Sequence, residues 1–333
     1  MSEIAHNHID DMDSLIKRAA ESVLNTAVTV SAKVTQGQVN YVYKIEAGDH
    51  KFIVKAFKRG WPEEGKLSWI EQQLAQYGVP HARMLYYSRG DSFFPHGFTI
   101  TEYVEGQNAL DAIASGSLSL ETYYSQVGAL LRRVHQVPAR QYGYFGHGPG
   151  GMYPTFIDHK LIHEVQERLC EIVGADLSDK IVYSRIEEKV RQQLAPFEDR
   201  FEPVLIHADP IPKNAVWTTD HQLILIDWDD AIAGAWIADL AQLTYWRRYS
   251  NPFSAAMNHE EGVMRDAFFR GYGAVEFNAE EIAAMENALH IIHSVDLLPF
   301  YQRENNSQAF KQTKKRLLRL LEQNSTRPCS GTV

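Results

Sequence analysis

The stretch "VLIHADPIPKNAVW", Val204 to Trp217, puts His207, Asp209 and Asn214 in one short segment, with Pro210 and Pro212 on either side of Ile211. Val204–Ile206 and Ala215–Trp217 read as short buried strands, so the polar, proline-broken segment between them is a loop held by rigid elements. Such loops are where reactive side chains tend to sit. Further on, Asp227 in "LILIDWDDA" follows four apolar residues and ends another buried strand. A hairpin of the strands flanking this turn would bring Asp209, Asn214 and Asp227 together. Two carboxylates and an amide are oxygen ligands suited to Mg2+, a hard cation that takes waters and phosphates as its remaining ligands. Phosphoryl transfer needs that arrangement plus a base for the proton of the attacking hydroxyl.

The elements that must position these residues are legible in outline. Residues 10–25 read as an amphipathic helix, and "AVTVSAKV", "NYVYKIEA" and "KFIVKAF" as three strands of an antiparallel meander. "EEGKLSWIEQQLAQYG" has helical periodicity and ends at Gly78, a C-cap. "RMLYYS" and "GFTITEYV" complete a five-stranded sheet with one helix inserted after its third strand. Beyond "EGQNA" the chain turns helical: Val127, Leu130, Leu131 and Val134 form a core-facing stripe. "RQYGYFGHGPGGMYP" is a glycine- and aromatic-rich loop too long for a simple connector. Helices are expected over 156–173 and 182–195, a strand at "QLILID", and helices again from about 237 to 323. The expected organisation is α+β: an N-terminal helix over 1–26, a sheet lobe over 27–105, a helical lobe over 106–323 and a disordered tail over 324–333.

At 333 residues the chain exceeds one typical domain. Its 44% hydrophobic and 23% charged residues are those of a globular protein with a substantial core. A formal charge of −9 argues against nucleic acid as the main partner and is compatible with a cationic small substrate. The two cysteines, Cys170 and Cys329, build neither a disulfide framework nor a zinc site, so a reducing compartment, the cytoplasm, is expected. The N-terminal text "MSEIAHNHIDDMD" is acidic rather than signal-like. No apolar run reaches membrane-spanning length. The fourteen histidines are scattered, which is the pattern of surface and loop residues.

The spacing H-x-D-x-x-x-x-N is the catalytic-loop pattern of protein kinases, which also demand a lysine on the third strand of a preceding β lobe. Lys55 in "FIVKAF" fills that place. With "HADPIPKN" and "LIDWDDAIAGAWIADLAQL", the chain resembles the aminoglycoside phosphotransferase family, the kinase-like small-molecule kinases that include choline, fructosamine and hygromycin B kinases. The resemblance covers roughly residues 28–300. "VGALLRRVHQVP", "YGVPHARML" and "FFRGYGA" also look like family framework text. "YGYFGHGPGGMYPTFID" is similar to the loop before the substrate-side helices of hygromycin-kinase-like members.

The resemblance implies a protein-kinase-like two-lobed fold with ATP between the lobes and a small-molecule hydroxyl acceptor facing Asp209. By it, Asp209 is the catalytic base, Asn214 and Asp227 hold Mg2+, and Lys55 contacts the α- and β-phosphates. The strand "TITEYVEG" would offer backbone groups of Glu102 and Val104 to the adenine. "TQGQVNYVY" would be the phosphate-covering loop, with Gly37 and Asn40 its notable members. His207 and Asp239 would brace the catalytic loop. The acceptor stays open among antibiotics, choline and other amino alcohols, sugars, ketosamines and homoserine. An aminoglycoside or aminocyclitol is favoured by the glycine-rich loop and the acidic balance. The rival classes are a pseudokinase scaffold, which the intact Lys55, Asp209, Asn214 and Asp227 set disfavours, and a protein kinase, disfavoured because "D-F-G" and "A-P-E" text does not follow Asp227.

Three departures from the family text matter. The glycine usual after the loop histidine is Ala208. The usual text before the asparagine is replaced by Pro210-Ile211-Pro212-Lys213, where Lys213 either reaches a transferring phosphate or is simply solvated. The helix glutamate that should pair with Lys55 has no clear counterpart: its aligned place is Leu67, with Glu64 one turn before and Glu71 one turn after, and Glu71 is the choice. Asp229 and Asp230 either join the metal site or cap a helix. Trp228, Tyr103 and Tyr144 read as packing aromatics rather than substrate platforms.

Overall fold

Period-two alternation along the N-terminal strands gives the sheet one apolar face, and that face needs a cover. The computed structural model, which describes residues 3–34, 40–59, 64–145, 148–172, 180–249 and 261–322, supplies it with helix α1, Glu3–Leu24. Ile16, Ala19 and Ala20 of α1 pack with Tyr43, Ile45, Val54, Ala56, Phe98 and Ile100 of the sheet. Burying each large aliphatic of this set contributes roughly 1.5–3 kcal/mol. The helix expected over 10–25 therefore begins earlier.

The sheet comprises β1 Thr29–Lys33, β2 Tyr41–Ala47, β3 His50–Ala56, β4 Met84–Ser88 and β5 Phe98–Glu102, with α2, Glu64–Gln76, inserted after β3. Its order is β1-β2-β3-β5-β4, so β3 is central and β1 and β4 are the edges. Val54 and Ala56 point into the α1-covered core, which turns the intervening Lys55 to the opposite face. Helix α2 closes as read from the sequence. Gly78 takes φ +62°, and the Val79 N–H reaches back to the Leu74 carbonyl at 2.8 Å.

A second small sheet follows. Strand β6, Gly106–Asn108, leads into α3, Ala109–Ser115, and α4, Leu120–Val134. The expected stripe of α4 is buried at Val127, Leu130, Leu131 and Val134. The segment expected to be one helix over 156–173 is instead α5, Phe156–Asp158, a π-helix over His159–Glu167, and α6, Arg168–Glu171. Periodicity at this length does not separate i→i+5 from i→i+4 closure, and π winding is concentrated at functional sites.

Helix α7, Lys180–Leu194, precedes β7 Val204–Ile206, β8 Ala215–Thr218, β9 Leu223–Leu225 and β10 Ile232–Gly234. The expected hairpin is β8–β9, with β6 as third strand, while β7 pairs with β10. Helices α8 Ile237–Tyr249, α9 Glu261–Tyr272, α10 Ala279–Arg303 and α11 Ser307–Glu322 end the described chain. Helices α4 and α9 cross at two glycines. A Cβ on Gly271 would lie 1.8 Å from the Ser125 carbonyl, and one on Gly128 2.3 Å from that of Phe268, so both positions exclude a side chain.

The chain forms two compact units: Met1–Ser119 with Gly146–Gly148 and Pro212–Asp230, and Leu120–Phe145 with Pro149–Ile211 and Ala231–Val333. The first holds the sheet, α1 and the β8–β9 hairpin; the second is mainly helical. This division parts the chain at 119 rather than near 105 and returns 212–230 to the sheet unit. Residues 324–333 and Gly37 lie outside the described residues. No helix among the described residues is long and apolar enough to cross a membrane.

Candidate active site

In the first unit, the β8–β9 hairpin pairs Ala215 with Leu225, and the Ile226 N–H donates to the Asn214 carbonyl at 2.9 Å. Asn214 and Asp227 therefore stand at the ends of adjacent strands. Asn214 is buried, while Asp227 is exposed and takes φ +67° before a 3-10 turn over Trp228–Asp230. A left-handed non-glycine residue stores strain of a kind found at functional positions, and aspartate tolerates it better than most.

Lys55 Nζ sits 2.5 Å from both Asp227 Oδ1 and Asp229 Oδ2. Burial pulls the Lys55 ammonium down, but the two carboxylates outweigh it and hold the lysine above its ordinary value. Burial pushes the Asp229 carboxyl up against the opposing pull of Lys55. Asn40 Nδ2 approaches Asp229 Oδ2 at 3.4 Å, and its Oδ1 accepts from Lys58 N at 3.4 Å. Asn214 and Asp227 are hard oxygen donors carried by one hairpin, a pair that fits Mg2+ completing its shell from phosphate and water.

The glutamate chosen as Lys55's partner is elsewhere. Glu71 Oε1 accepts the Met84 N–H at 3.0 Å, tying α2 to edge strand β4, and among the described residues the carboxylates against Lys55 are those of Asp227 and Asp229. The cause is the helix face: the buried stripe of α2 runs through positions 66, 70 and 74, so Glu71 points along the sheet edge. The Glu64 side chain lies outside the described residues.

On β5, Glu102 N donates to the Arg83 carbonyl at 2.9 Å, so what Glu102 can offer a nucleotide is its own carbonyl. Val104 lies just past Tyr103, whose N–H donates to Lys51 O at 3.1 Å. Tyr103 carries Lys44 Nζ 4.0 Å above its ring, and Trp228 Nε1 donates to Leu225 O at 3.3 Å, both of them packing roles. The Lys213 side chain is exposed, and its carbonyl accepts from Asn108 Nδ2 at 2.7 Å.

In the second unit, Asp239 organises the loop that bears Asp209. Its fully buried carboxylate accepts the His207 N–H at 2.9 Å, the Ala208 N–H at 2.7 Å and His135 Nε2 at 3.1 Å. His135 Nδ1 meets Tyr272 Oη at 2.8 Å. His207 braces from within, its Nδ1 facing the Asp209 N–H at 3.3 Å. Asp209 is half-buried, and its Oδ1 accepts from Gln242 Nε2 at 3.0 Å. Sequence reasoning missed Gln242 and His135. The signal for Gln242 was its spacing, three residues after Asp239 on one helix face.

Ala208 adopts φ +67°, which explains why the family text carries glycine there. Holding alanine in this conformation costs roughly 1–2 kcal/mol, and the freer unfolded chain of a glycine variant takes back roughly 0.4–1 kcal/mol. Ala208→Gly is therefore expected to raise the melting temperature by about 2 °C and to leave turnover unchanged. A fall in Tm in calorimetric melts would contradict this account of the loop.

Several titratable groups gather on the π-helix and α10 of the same unit. His293 is held below the ordinary histidine value by burial, against the pull of Asp296, Asp209 and Glu164 and aided by Lys160. His159, buried among Tyr153 and His163, is driven down to about 2 by burial, Lys160 and His163. Its Nδ1 makes no hydrogen bond. Lys160 pairs with Glu164, and Tyr144 Oη meets His163 Nε2 at 3.0 Å.

The sequence profile of the phosphotransferase enzyme family matches residues 32–284. No curated protein sequence matches. Among solved structures, aminoglycoside phosphotransferase APH(4)-Ia superposes with a TM-score of 0.66 at 16% identity, covering 95% of this chain and 99% of that one. A thermostable mutant of that enzyme, in ternary complex with AMP-PNP and hygromycin B, gives 0.67 at 14% identity, over 95% and 99%. The choline kinase LicA from Streptococcus pneumoniae gives 0.63 at 16% identity, over 93% and 99%. These likenesses show the protein-kinase-like α+β fold expected from the motifs. With the profile spanning most of its length, the chain belongs to the phosphotransferase enzyme family.

Proposed function

We propose that this phosphotransferase moves the γ-phosphoryl group of ATP to a hydroxyl of a small molecule, and that an amine-bearing polyol such as an aminoglycoside or aminocyclitol is the acceptor. The observation that carries the phosphoryl chemistry is Lys55 against the two carboxylates of the "IDWDD" turn. Lys55 releases one of these carboxylates to meet the nucleotide's phosphates as a point charge. Asn214 and Asp227 hold Mg2+, which when bound neutralises charge on the transferring phosphates. Glu102 and Val104 present backbone groups to the adenine, and Asn40 belongs to the loop over the phosphates.

Asp209 accepts the proton of the attacking hydroxyl. Gln242 orients its carboxylate, and Asp239 fixes the backbone that carries it. Positioning and charge, rather than covalent chemistry, supply the acceleration. The carboxylates of Asp296, Asp209 and Glu164 all act on His293, and since Asp296 is paired with Arg168 and Glu164 with Lys160, the preference for a cationic acceptor is supported here by Asp209. A net charge of −9 draws the same kind of ligand.

The test is ADP release with ATP and Mg2+ across aminoglycosides, aminocyclitols, choline, sugars and amino alcohols. Release stimulated at least about tenfold, the 1.4 kcal/mol scale of a specific contact, by an amine-bearing polyol is expected. Stimulation by an uncharged sugar alone would move the acceptor class. Nucleotide binding with no acceptor-dependent release from any of these would favour a nucleotide-binding scaffold.

A further inference from the structure

The buried stripe of α2 begins with a lysine. Lys66, Ile70 and Leu74 follow one another at i, i+4 and i+8, and Lys66 is 0% exposed. An ammonium at a core position costs several kcal/mol unless anions and dipoles compensate it. The compensation comes from the "IDWDD" turn: Lys66 Nζ donates to the backbone carbonyl of Asp229. The carboxylate of Asp229 then faces Lys55, at 2.5 Å. The two lysines and the carboxylates of Asp227 and Asp229 make a set with no net formal charge.

Kinase-like phosphotransferases require the β3 lysine to be held by a carboxylate. Here the residue at the aligned helix position is Leu67, Glu71 is engaged with Met84 N, and an acidic side chain on the hairpin turn performs the holding. We infer that Asp229 is the anchoring carboxylate of Lys55, and that Lys66 is a positioning residue that clamps the turn bearing it. Among its described side chains, the helix thus contributes a cation to the turn, and none of them gives an anion to the lysine. The inference rests on the proposed nucleotide site and assigns its internal scaffold. It also resolves the choice between metal ligand and helix cap at Asp229 in favour of a third role.

The experiment is calorimetric titration of the full chain with AMP-PNP in the presence of Mg2+, at a temperature where every variant is folded by circular dichroism. Lys66→Met keeps length and removes charge, Lys66→Arg keeps charge, Asp229→Asn removes the anchor while retaining the clamped carbonyl, and Glu71→Gln is the control. Lys66→Met and Asp229→Asn are expected to weaken binding roughly ten- to a hundredfold, Lys66→Arg to recover most of that, and Glu71→Gln to bind like the wild type. A Lys66→Met chain that melts earlier yet binds AMP-PNP with wild-type affinity overturns the positioning role. Wild-type affinity in Asp229→Asn, or a loss in Glu71→Gln, overturns the anchor assignment. If Lys66→Met does not fold, Asp229→Asn and Lys66→Arg decide the matter. A wild-type protein that binds no AMP-PNP overturns the nucleotide-site reading itself, a result distinct from failure of any variant.

Discussion

Asp209→Asn is expected to lower kcat by ~10²–10⁴, the worth of a positioned general base, while leaving nucleotide affinity nearly intact. The substitution is conservative in every respect but the one that matters. Asparagine matches the size of aspartate, and its carbonyl oxygen can keep accepting from Gln242 Nε2, which now meets Asp209 Oδ1 at 3.0 Å. The backbone of the loop does not depend on the side chain, because Asp239 holds the N–H groups of His207 and Ala208. What asparagine loses is the ability to take a proton from an attacking hydroxyl. The measurement is single-turnover phosphoryl transfer, with AMP-PNP titration alongside. Turnover within about threefold of wild type, well below the range for a base, would remove Asp209 from the mechanism.

The second large effect concerns Asp227, where the left-handed backbone dictates the choice of variant. Alanine at φ +67° would add roughly 1–2 kcal/mol of backbone strain to the loss of a charge. Asparagine adopts this conformation readily and deletes only the charge. Asp227→Asn is therefore expected to abolish the Mg2+ dependence of nucleotide binding, since a divalent ion at this hairpin loses its exposed anionic ligand. Titrations with AMP-PNP, with and without Mg2+, measure the difference. Lys55 keeps Asp229 as its partner in this variant, so folding should be little affected. If the metal dependence persists at wild-type size, the ion is held elsewhere.

Local chemistry was the legible part of this chain. The β8–β9 hairpin, the C-cap at Gly78 and the buried stripe of α4 follow from patterns spanning a few residues, and all three are present. The sheet order, the pairing of β7 with β10 and the short strand β6 depend on partners distant in sequence, and no local pattern encodes them. The same division runs through the site. His207, Asp209, Asn214 and Asp227 announce themselves because their spacing is set by one loop and one hairpin. Lys66 looks like an ordinary helical lysine until the helix is docked, and Glu71 looks like the partner of Lys55 until its carboxylate meets Met84 N. The π winding of 159–167 was invisible for another reason: apolar periodicity reports a face, not the closure of each turn.

That winding bears on how such a protein can change over generations. A segment closed by i→i+5 bonds carries more chain per turn than an α-helix of the same height. It can therefore lose a single residue by tightening to i→i+4 closure, with α5 and α6 keeping their helical backbone. Because the tighter winding absorbs the loss, α6 keeps its register, and only the side chains within the segment shift around the axis, by up to one residue's angle, about 100°. Lys160, His163 and Glu164 would be dealt out anew around the segment that stands near His293. A one-codon deletion could thus reassign several charged groups at once, a change that single substitutions reach only by many separate steps.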